Sequence, residues 1–331
     1  MSAQVLGGHS GASFSAILGH EEAKQHLSEA IRDGHISHAY LIEGMAGVGK
    51  RSMARAFVAE LFGDEDSQRL IEHGNHPDVK TIRPEDGKKS ISKEQIQTGL
   101  VADIGIMPYR SPYKVYIIED ADKLTVEAQN TMLKTIEEPP AYGLILLLAE
   151  RASSFLPTIL SRCVRILLTP LDMELITGAL IEKGVDPDSA RSAAAFAQGS
   201  LGAALSLTTD ETFSGMRKEL YDFLSQVPSM KPIGVLKGSQ LFDTYKQETN
   251  RLLDLMMLWY RDLLVYALTG DAARVLTTDY LSDISRVCAS YSTEQMTRIV
   301  QVIRDIYSGL SQNVNRDLAM DRLFSSLIVS R

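Results

Sequence analysis

A glycine-rich run between a short apolar segment and a helical pattern constrains the fold of this chain more than any other feature. The run covers residues 44–52 and reads Gly-Met-Ala-Gly-Val-Gly-Lys-Arg-Ser. The apolar residues 39–42 before it predict a buried strand, and apolar residues at helical spacing after it predict a helix. This strand–loop–helix order is typical of a phosphate-binding P-loop in an open parallel α/β sheet.

The residue types in the run predict contacts with phosphate. Backbone N–H groups of a glycine-rich loop and the N-terminus of the following helix attract phosphate oxygens, and Lys50 supplies a positive charge. Arg51 departs from the pattern, because that position normally carries the Ser or Thr that holds Mg²⁺, and Ser52 comes one residue late. The candidate nucleotide-binding residues of this degenerate loop are Gly44, Gly47, Gly49, Lys50, Arg51 and Ser52.

A second part of the site is predicted at the end of the apolar strand over residues 114–118. Glu119 and Asp120 follow that strand directly, at the carboxyl edge where open α/β sheets bind ligands. P-loop ATPases place there an Asp for the metal, often with a Glu that positions water, and here the longer carboxylate comes first. A solvated acidic turn is the alternative to this Walker B-like interpretation.

Composition and pattern shifts predict several domains. The chain has 331 residues, 44% of them hydrophobic and 23% charged, which is typical of a soluble protein too long for one core. The pattern becomes purely helical beyond Pro170 and breaks again near residues 208–211. The predicted domains are residues 1–168, 169–209 and 210–331.

Charge and hydropathy limit the environment and the partners. No apolar run approaches the length of a membrane span and the N-terminus lacks a signal-peptide pattern, so a cytoplasmic protein without membrane contact is expected. A net charge of −8 disfavours a broad nucleic-acid surface on this chain alone. Any contact with DNA is therefore expected to be local or shared with partners.

No metal site is predicted. Cys163 and Cys288 are the only cysteines and lie far apart, which excludes a four-cysteine zinc module. His73 and His76 are three residues apart, but no third ligand lies near, so they are interpreted as solvated loop residues.

Several motifs together resemble the AAA+ clamp-loader subunits of bacterial DNA polymerase III. The resemblance is densest over residues 14–207, and within the family the delta-prime type is more similar than the gamma/tau ATPase. The motifs are Ile-Glu-Asp-Ala-Asp-Lys-Leu-Thr at 118–125, Ala-Gln-Asn at 128–130, Leu-Lys-Thr-Ile-Glu-Glu-Pro-Pro at 133–140, Ser-Arg-Cys at 161–163, His-Ala-Tyr-Leu at 38–41 and Gly-Asn-His-Pro-Asp at 74–78.

The resemblance implies an architecture and a set of partners. The α/β RecA-like AAA+ domain would be followed by a small helical lid and by an all-α collar that joins five subunits. The implied partners are the gamma/tau and delta subunits, the sliding clamp and, through the complex, primed DNA. The zinc-binding cysteines usual in the family are missing from residues 63–73, so no zinc is expected.

The resemblance also assigns a role to Arg162. ATP in this family lies between neighbouring subunits, and the Ser-Arg-Cys arginine of one subunit faces the P-loop of the next. Arg162 matches that arginine finger, and a guanidinium suits the role because it stays charged and can contact the γ-phosphate. A structural salt bridge from Arg162 to a local carboxylate is the alternative.

Four features indicate that this chain does not hydrolyse ATP itself. Arg51 replaces the metal ligand, Glu119 and Asp120 are inverted, residues 149–150 lack an Asn or Thr, and Gly202 stands where active relatives carry a sensor arginine. Phosphoryl transfer depends almost wholly on such positioning and charge. Binding of ATP or ADP without turnover stays open, since the glycines and Lys50 are present.

The sequence thus predicts a delta-prime-type subunit of the clamp loader. It would act as a stator and supply Arg162 in trans while the sliding clamp is loaded on primed DNA. No catalysis is expected from this chain alone, although it would be a component of the DNA polymerase III holoenzyme. The alternatives are an ATP-hydrolysing gamma/tau-type ATPase, in which Ser52 or a local rearrangement replaces the missing ligand, and a P-loop-derived adaptor outside replication.

Overall fold

The computed structural model of the chain describes residues 12–310 and 316–328. Its contacts divide the chain into two compact units. The first unit comprises Met1–Leu171 with Gly199–Gly202, and the second comprises Asp172–Gln198 with Ala203–Arg331. The division into residues 1–168, 169–209 and 210–331 stays a prediction.

The first unit contains a parallel sheet of five strands between residues 39 and 167. The strands are β1 (Ala39–Glu43), β2 (Val79–Ile82), β3 (Lys114–Ile118), β4 (Gly143–Ala149) and β5 (Val164–Leu167). Their order across the sheet is β2-β3-β4-β1-β5, and every neighbouring pair is parallel. The predicted P-loop type of parallel α/β fold is confirmed. Because β4 lies between β1 and β3, the loops that follow these three strands meet at one edge of the sheet.

Helices cover both faces of this sheet. They are α1 (Glu21–Arg32), α2 (Lys50–Phe62), α3 (Glu65–Glu72), α4 (Lys93–Ile96), α5 (Val126–Glu137) and α6 (Pro157–Leu160). Alternate residues of β4 point to opposite faces: Leu146 joins the cluster that contains Phe57 of α2, and Ile145 joins the cluster that contains Met132 of α5. Since β4 is buried on both sides, its uninterrupted apolar sequence is explained.

Polar caps fix where two of these helices begin. Ser92 accepts a hydrogen bond from the N–H of Gln95, whose side chain bonds back to the N–H of Ser92. The sequence Ile-Ser-Lys-Glu at 91–94 predicts a helix capped by Ser92, and the structure confirms this N-cap. Thr125 caps α5 in a similar way, by accepting a hydrogen bond from the N–H of Ala128.

The interpretation of His76 as a solvated loop residue is wrong. His76 is 3% exposed, its Nε2 lies 3.1 Å from Oγ of Ser67, and its ring packs 5.0 Å from that of Phe62. Burial lowers the pKa of His76. The polar sequence over residues 65–72 forms α3, which covers this side chain, whereas His73 stays exposed at the end of that helix.

Asp78, the last residue of the His-Pro-Asp motif, has a structural role. Its carboxylate accepts hydrogen bonds from the backbone N–H groups of Tyr109, Arg110 and Ser111, at 2.5, 2.9 and 3.0 Å. Burial alone would raise the pKa of Asp78, but these bonds and the nearby His76 hold it below its usual value. The motif therefore anchors the turn that leads into β3.

The chain beyond β5 is helical, as predicted. The helices are α7 (Met173–Glu182), α8 (Pro187–Phe196), α9 (Leu201–Thr209), α10 (Glu211–Gln226), α11 (Pro232–Leu236), α12 (Ser239–Thr244), α13 (Thr249–Thr269), α14 (Leu281–Cys288), α15 (Thr293–Leu310) and α16 (Arg316–Ser326). The patterns over 293–312 and 316–329 predict helices whose last residues lie outside the described part of the chain. In the part that is described, no helix combines the length and apolar character needed to cross a membrane.

The apolar pattern predicts a single helix over residues 240–268, and this prediction is wrong, because the structure has two helices, α12 and α13, over this range. Tyr245 adopts φ −105° and ψ 43°, and its hydroxyl donates a hydrogen bond of 3.2 Å to Glu219. This tertiary contact favours a break between α12 and α13 over a continuous helix. The apolar stripe of α13 is core of the second unit, with Met256 and Trp259 fully buried.

Candidate functional site

The glycine-rich loop connects β1 to α2 at the carboxyl edge of the sheet. Gly49 adopts φ 114°, a left-handed conformation that side-chain-bearing residues rarely take, directly before α2 begins. A Cβ atom at Gly44 would lie 2.6 Å from the carbonyl oxygen of Leu168, so this position admits only glycine. Both glycines are therefore required by the backbone conformation and packing of the loop.

The loop and the end of β3 enclose one pocket of about 360 Å³. The structure brings both predicted carboxylates and the predicted loop residues except Gly44 into its lining. Residues of the first unit line it: Ala46, Gly47, Gly49, Lys50, Arg51, Ser52, Glu119, Asp120, Leu148, Glu150 and Gly202. The carboxylates and the loop thus face each other, as the topology requires.

Lys50 is held against the loop itself. Its Nζ donates hydrogen bonds to the carbonyl oxygens of Gly44, at 2.6 Å, and Met45, at 2.9 Å. Burial lowers the pKa of Lys50, while the nearby carboxylates, Glu150 first among them, act in the opposite direction. The ammonium group therefore lies at the base of the pocket.

Arg51 forms an ion pair with Glu119 across the pocket. The Glu119 side chain is 8% exposed, whereas that of Arg51 is 55% exposed. Mg²⁺ in an active P-loop site needs a hydroxyl at the position of Arg51 and an accessible carboxylate at the end of this strand. Position 51 offers a cation instead, and Glu119 is already paired with it. The residues present therefore do not fit the usual metal.

Asp120 pairs with a lysine of its own turn. Its backbone is left-handed, with φ 51°, and its exposed carboxylate lies 2.8 Å from Nζ of Lys123. Beside it, Asp122 accepts a hydrogen bond of 3.3 Å from the N–H of Glu150, which follows β4. The two carboxylates of the Walker B-like pair thus have separate partners.

Gly202 touches the phosphate loop directly. Its N–H donates a hydrogen bond of 3.1 Å to the carbonyl oxygen of Gly47. A Cβ atom at Gly202 would lie 3.1 Å from that oxygen and 3.2 Å from the Cα atom of Gly47. The sequence indicates only that Gly202 stands where active relatives carry an arginine. It does not predict that Gly202 packs against the phosphate loop.

Replacing Gly202 with alanine is expected to loosen the phosphate loop. The added methyl group would lie 3.1–3.2 Å from Gly47, which is tighter than ordinary contact, so the loop has to move slightly. Such overpacking costs on the order of 1 kcal/mol, or about fivefold faster amide exchange. Hydrogen–deuterium exchange of peptides covering residues 44–52 measures this. The control is Gly178→Ala in α7, where a Cβ atom meets nothing within 4 Å. Equal exchange of the loop in both variants would contradict the expectation.

Arg162 follows α6 and is not among the residues that line the pocket of its own chain. Its side chain is 38% exposed, and its Nη2 lies 2.9 Å from a carboxylate oxygen of Glu137. Its Nη1 donates a hydrogen bond of 2.9 Å to the carbonyl oxygen of Thr158. The salt bridge to a local carboxylate, which the sequence analysis gave as the alternative, is therefore present, and its partner is Glu137. Next to it, Cys163 packs against the core, where burial raises the pKa of its thiol to about 11.

Comparisons with known proteins match the sequence of this chain to one family. A family model described as "DNA polymerase III, delta subunit" matches residues 19–172, which contain the phosphate loop, both carboxylates and Arg162. DNA polymerase III subunit delta' of Bacillus subtilis (strain 168) is 30% identical over 311 residues, which cover 90% of this chain and 92% of the relative.

Two further similarities are weaker or shorter. DNA polymerase III subunit tau of Escherichia coli (strain K12) is 34% identical over 218 residues, which cover 61% of this chain but 33% of the relative. Among solved structures, a gamma subunit-related protein of Thermotoga maritima aligns with a TM-score of 0.43 at 21% identity, over 91% of this chain and 98% of that one.

Proposed function

This chain belongs to the delta-prime family of DNA polymerase III clamp-loader subunits, and from that premise we propose that it is a stator that does not hydrolyse ATP. In this role it supplies Arg162 in trans to the ATP site of a neighbouring subunit. The neighbour is a gamma/tau-type ATPase, and the assembly loads the sliding clamp onto primed DNA in the cytoplasm. Residues 169–209 act as the lid and residues 210–331 as the collar.

The ion pair between Arg51 and Glu119 is the observation that carries the proposal. It places a fixed positive charge where an active site needs a metal, and it engages the carboxylate that the metal would use. Phosphoryl transfer needs the metal to neutralise charge as the phosphoryl group moves. A site without a place for this ion is not expected to turn over ATP.

The surroundings of Arg162 support the second half of the proposal. Its ion pair with Glu137 is solvent-exposed on both sides, and exposed pairs of this kind contribute only about 0–1 kcal/mol. A phosphate group offers the guanidinium stronger, bidentate, charge-assisted hydrogen bonds. The arginine can therefore exchange Glu137 for a γ-phosphate presented by a neighbour, without disturbing a buried structure.

The proposal predicts that the purified chain alone does not hydrolyse ATP. With ATP and Mg²⁺ in excess, phosphate release is expected to stay at the background rate, because the metal position is filled by Arg51. Lys50→Ala serves as the matched variant and is expected to leave that background rate unchanged.

The competing function is an ATP-hydrolysing subunit of the gamma/tau type, which the similarity to the Escherichia coli tau subunit favours. It predicts steady phosphate release that Lys50→Ala abolishes. That result would overturn the non-hydrolysing role.

A further inference from the structure

We propose that the Arg51–Glu119 pair replaces the divalent cation, so that the phosphate loop binds a nucleoside polyphosphate in its metal-free form. The observation that supports this proposal is the ion pair between the Arg51 guanidinium and the buried Glu119 carboxylate, in a pocket that the phosphate loop lines. The inference deepens the non-hydrolysing role proposed above and rests on it. It does not depend on Arg162.

The geometry leaves Arg51 able to bind a second anion. A guanidinium has five N–H donors, and the contact with Glu119 uses one nitrogen of the group. The side chain is 55% exposed and lines the pocket, so its remaining donors are accessible from the space beside Gly49. Lys50, at the start of α2, adds a second cation on the loop side of the same space.

Charge decides between the metal-free and the metal-bound ligand. Metal-free nucleotide brings its full negative charge to Lys50, Arg51 and the N-terminus of α2, and all three attract it. Asp120 and Glu150 line the same pocket and oppose this attraction, but Asp120 is already paired with Lys123. A nucleotide that carries Mg²⁺ brings a cation towards the guanidinium, while Glu119 is not available to coordinate it. Arg51 therefore takes the place of the metal, and the usual dependence of a P-loop on Mg²⁺ is expected to be lost.

The remaining carboxylates do not restore a metal site. Asp120 is paired with Lys123 at 2.8 Å, and Glu150, which follows β4, is exposed to solvent. Among the described residues, no group of three potential metal ligands is close enough to hold an ion. The polyphosphate chain is thus the part of the ligand that this site recognises, and the base is left unspecified.

Calorimetric titration of the full chain with ATP, in Mg²⁺ and then in EDTA, tests the inference. The affinity is expected to be equal in the two conditions or higher in EDTA. Inorganic tripolyphosphate is titrated in parallel: a similar affinity assigns recognition to the phosphates alone, and a weaker one adds a contribution from the nucleoside.

Variants assign the effect to Arg51. Arg51→Thr is expected to weaken binding in EDTA about tenfold, the lower end of what a charge-assisted hydrogen bond contributes. The double variant Arg51→Thr, Glu119→Asp restores a hydroxyl and a shorter carboxylate, and is expected to bind more tightly with Mg²⁺ than without it. Arg55→Thr, on the same helix but outside the pocket lining, is the control and is expected to match the wild type.

The inference is overturned if the wild-type chain binds ATP only with Mg²⁺, or does not bind ATP or tripolyphosphate in either condition. Equal effects of Arg51→Thr and Arg55→Thr would also overturn it. The comparison of Mg²⁺ with EDTA uses the wild-type chain, so it decides the question even if a variant fails to fold. None of these outcomes bears on Arg162, which is tested separately in the assembled complex.

Discussion

Replacing Arg162 with alanine is expected to slow ATP hydrolysis by the assembled clamp loader about 10³-fold at the site that this chain faces, the lower end of the range for arginine fingers. The guanidinium would no longer stabilise negative charge on the transferred phosphoryl group of the neighbour. Single-turnover phosphate release by a loader reconstituted with the variant measures the effect. Co-elution of the subunits checks that assembly is intact.

Two matched variants separate a catalytic arginine from a structural one. Glu137→Gln removes the carboxylate that Arg162 contacts at 2.9 Å, and Arg165→Ala removes an exposed charge three residues away that pairs with Glu43. Both are expected to leave turnover within about twofold of the wild type, since the Arg162–Glu137 pair is exposed on both sides and the Arg165 guanidinium is itself exposed. If Arg162 served only its salt bridge, Glu137→Gln would reproduce the loss.

Replacing Asp103 with asparagine is expected to destabilise the first unit by about 3 kcal/mol at neutral pH, because it leaves a buried cation without its partner. Asp103 lies 3.0 Å from Nζ of Lys114, whose side chain is 7% exposed, and 2.8 Å from Nζ of Lys80. It also accepts a hydrogen bond of 2.7 Å from the hydroxyl of Tyr116. Together these bonds hold the segment after α4 against β2 and β3.

Acid is also expected to remove the stabilisation that the Asp103 carboxylate gives to the first unit. Burial alone would raise the pKa of Asp103, but its bonds to Lys80, Tyr116 and Lys114 lower it from 3.8 to about 2. A folded-state pKa below the unfolded value means that the stabilisation, about 2 kcal/mol for this shift, is full above about pH 4 and is lost as the pH falls through 2. The difference between wild type and Asp103→Asn should shrink over that interval.

Hydrogen–deuterium exchange of peptides from β3 and α4 measures this stability, with peptides from α13 in the second unit as the internal reference. The loss at neutral pH corresponds to an increase of about a hundredfold in exchange through unfolding. Adding Lys114→Met to Asp103→Asn is expected to recover part of it, because the unpaired ammonium is removed. Asp66→Asn, at an exposed site on α3, is expected to have little effect. An Asp103→Asn protein that exchanges like the wild type would contradict the importance of the cluster.

Local patterns predicted much of the first unit correctly, because its strands and caps are encoded within a few residues. The apolar runs of β1 and β3 and the Ser92 cap are of this kind. The same reasoning placed Gly49, Lys50 and Glu119 at one edge of the sheet, since a parallel order forces the ends of β1 and β3 together.

The pairings that define the site were not predicted, because they join residues far apart in the sequence. Arg51 and Glu119 are 68 positions apart, and no local pattern says which carboxylate the arginine selects. Arg162 and Glu137 likewise meet only when α5 and α6 pack on the sheet. The buried His76 was missed for the same reason, since α3 has to fold over it before it leaves the solvent.

The role proposed for this chain is to contribute an arginine, and no ATPase activity, to a clamp loader. The most direct measurement compares Lys50→Ala and Arg162→Ala, each introduced into this subunit of an otherwise wild-type loader, by their rates of ATP hydrolysis. Lys50→Ala is expected to keep the rate within about twofold of the wild type, and Arg162→Ala to lose the turnover that depends on this subunit. The reverse pattern, a loss with Lys50→Ala and a normal rate with Arg162→Ala, would contradict the claim.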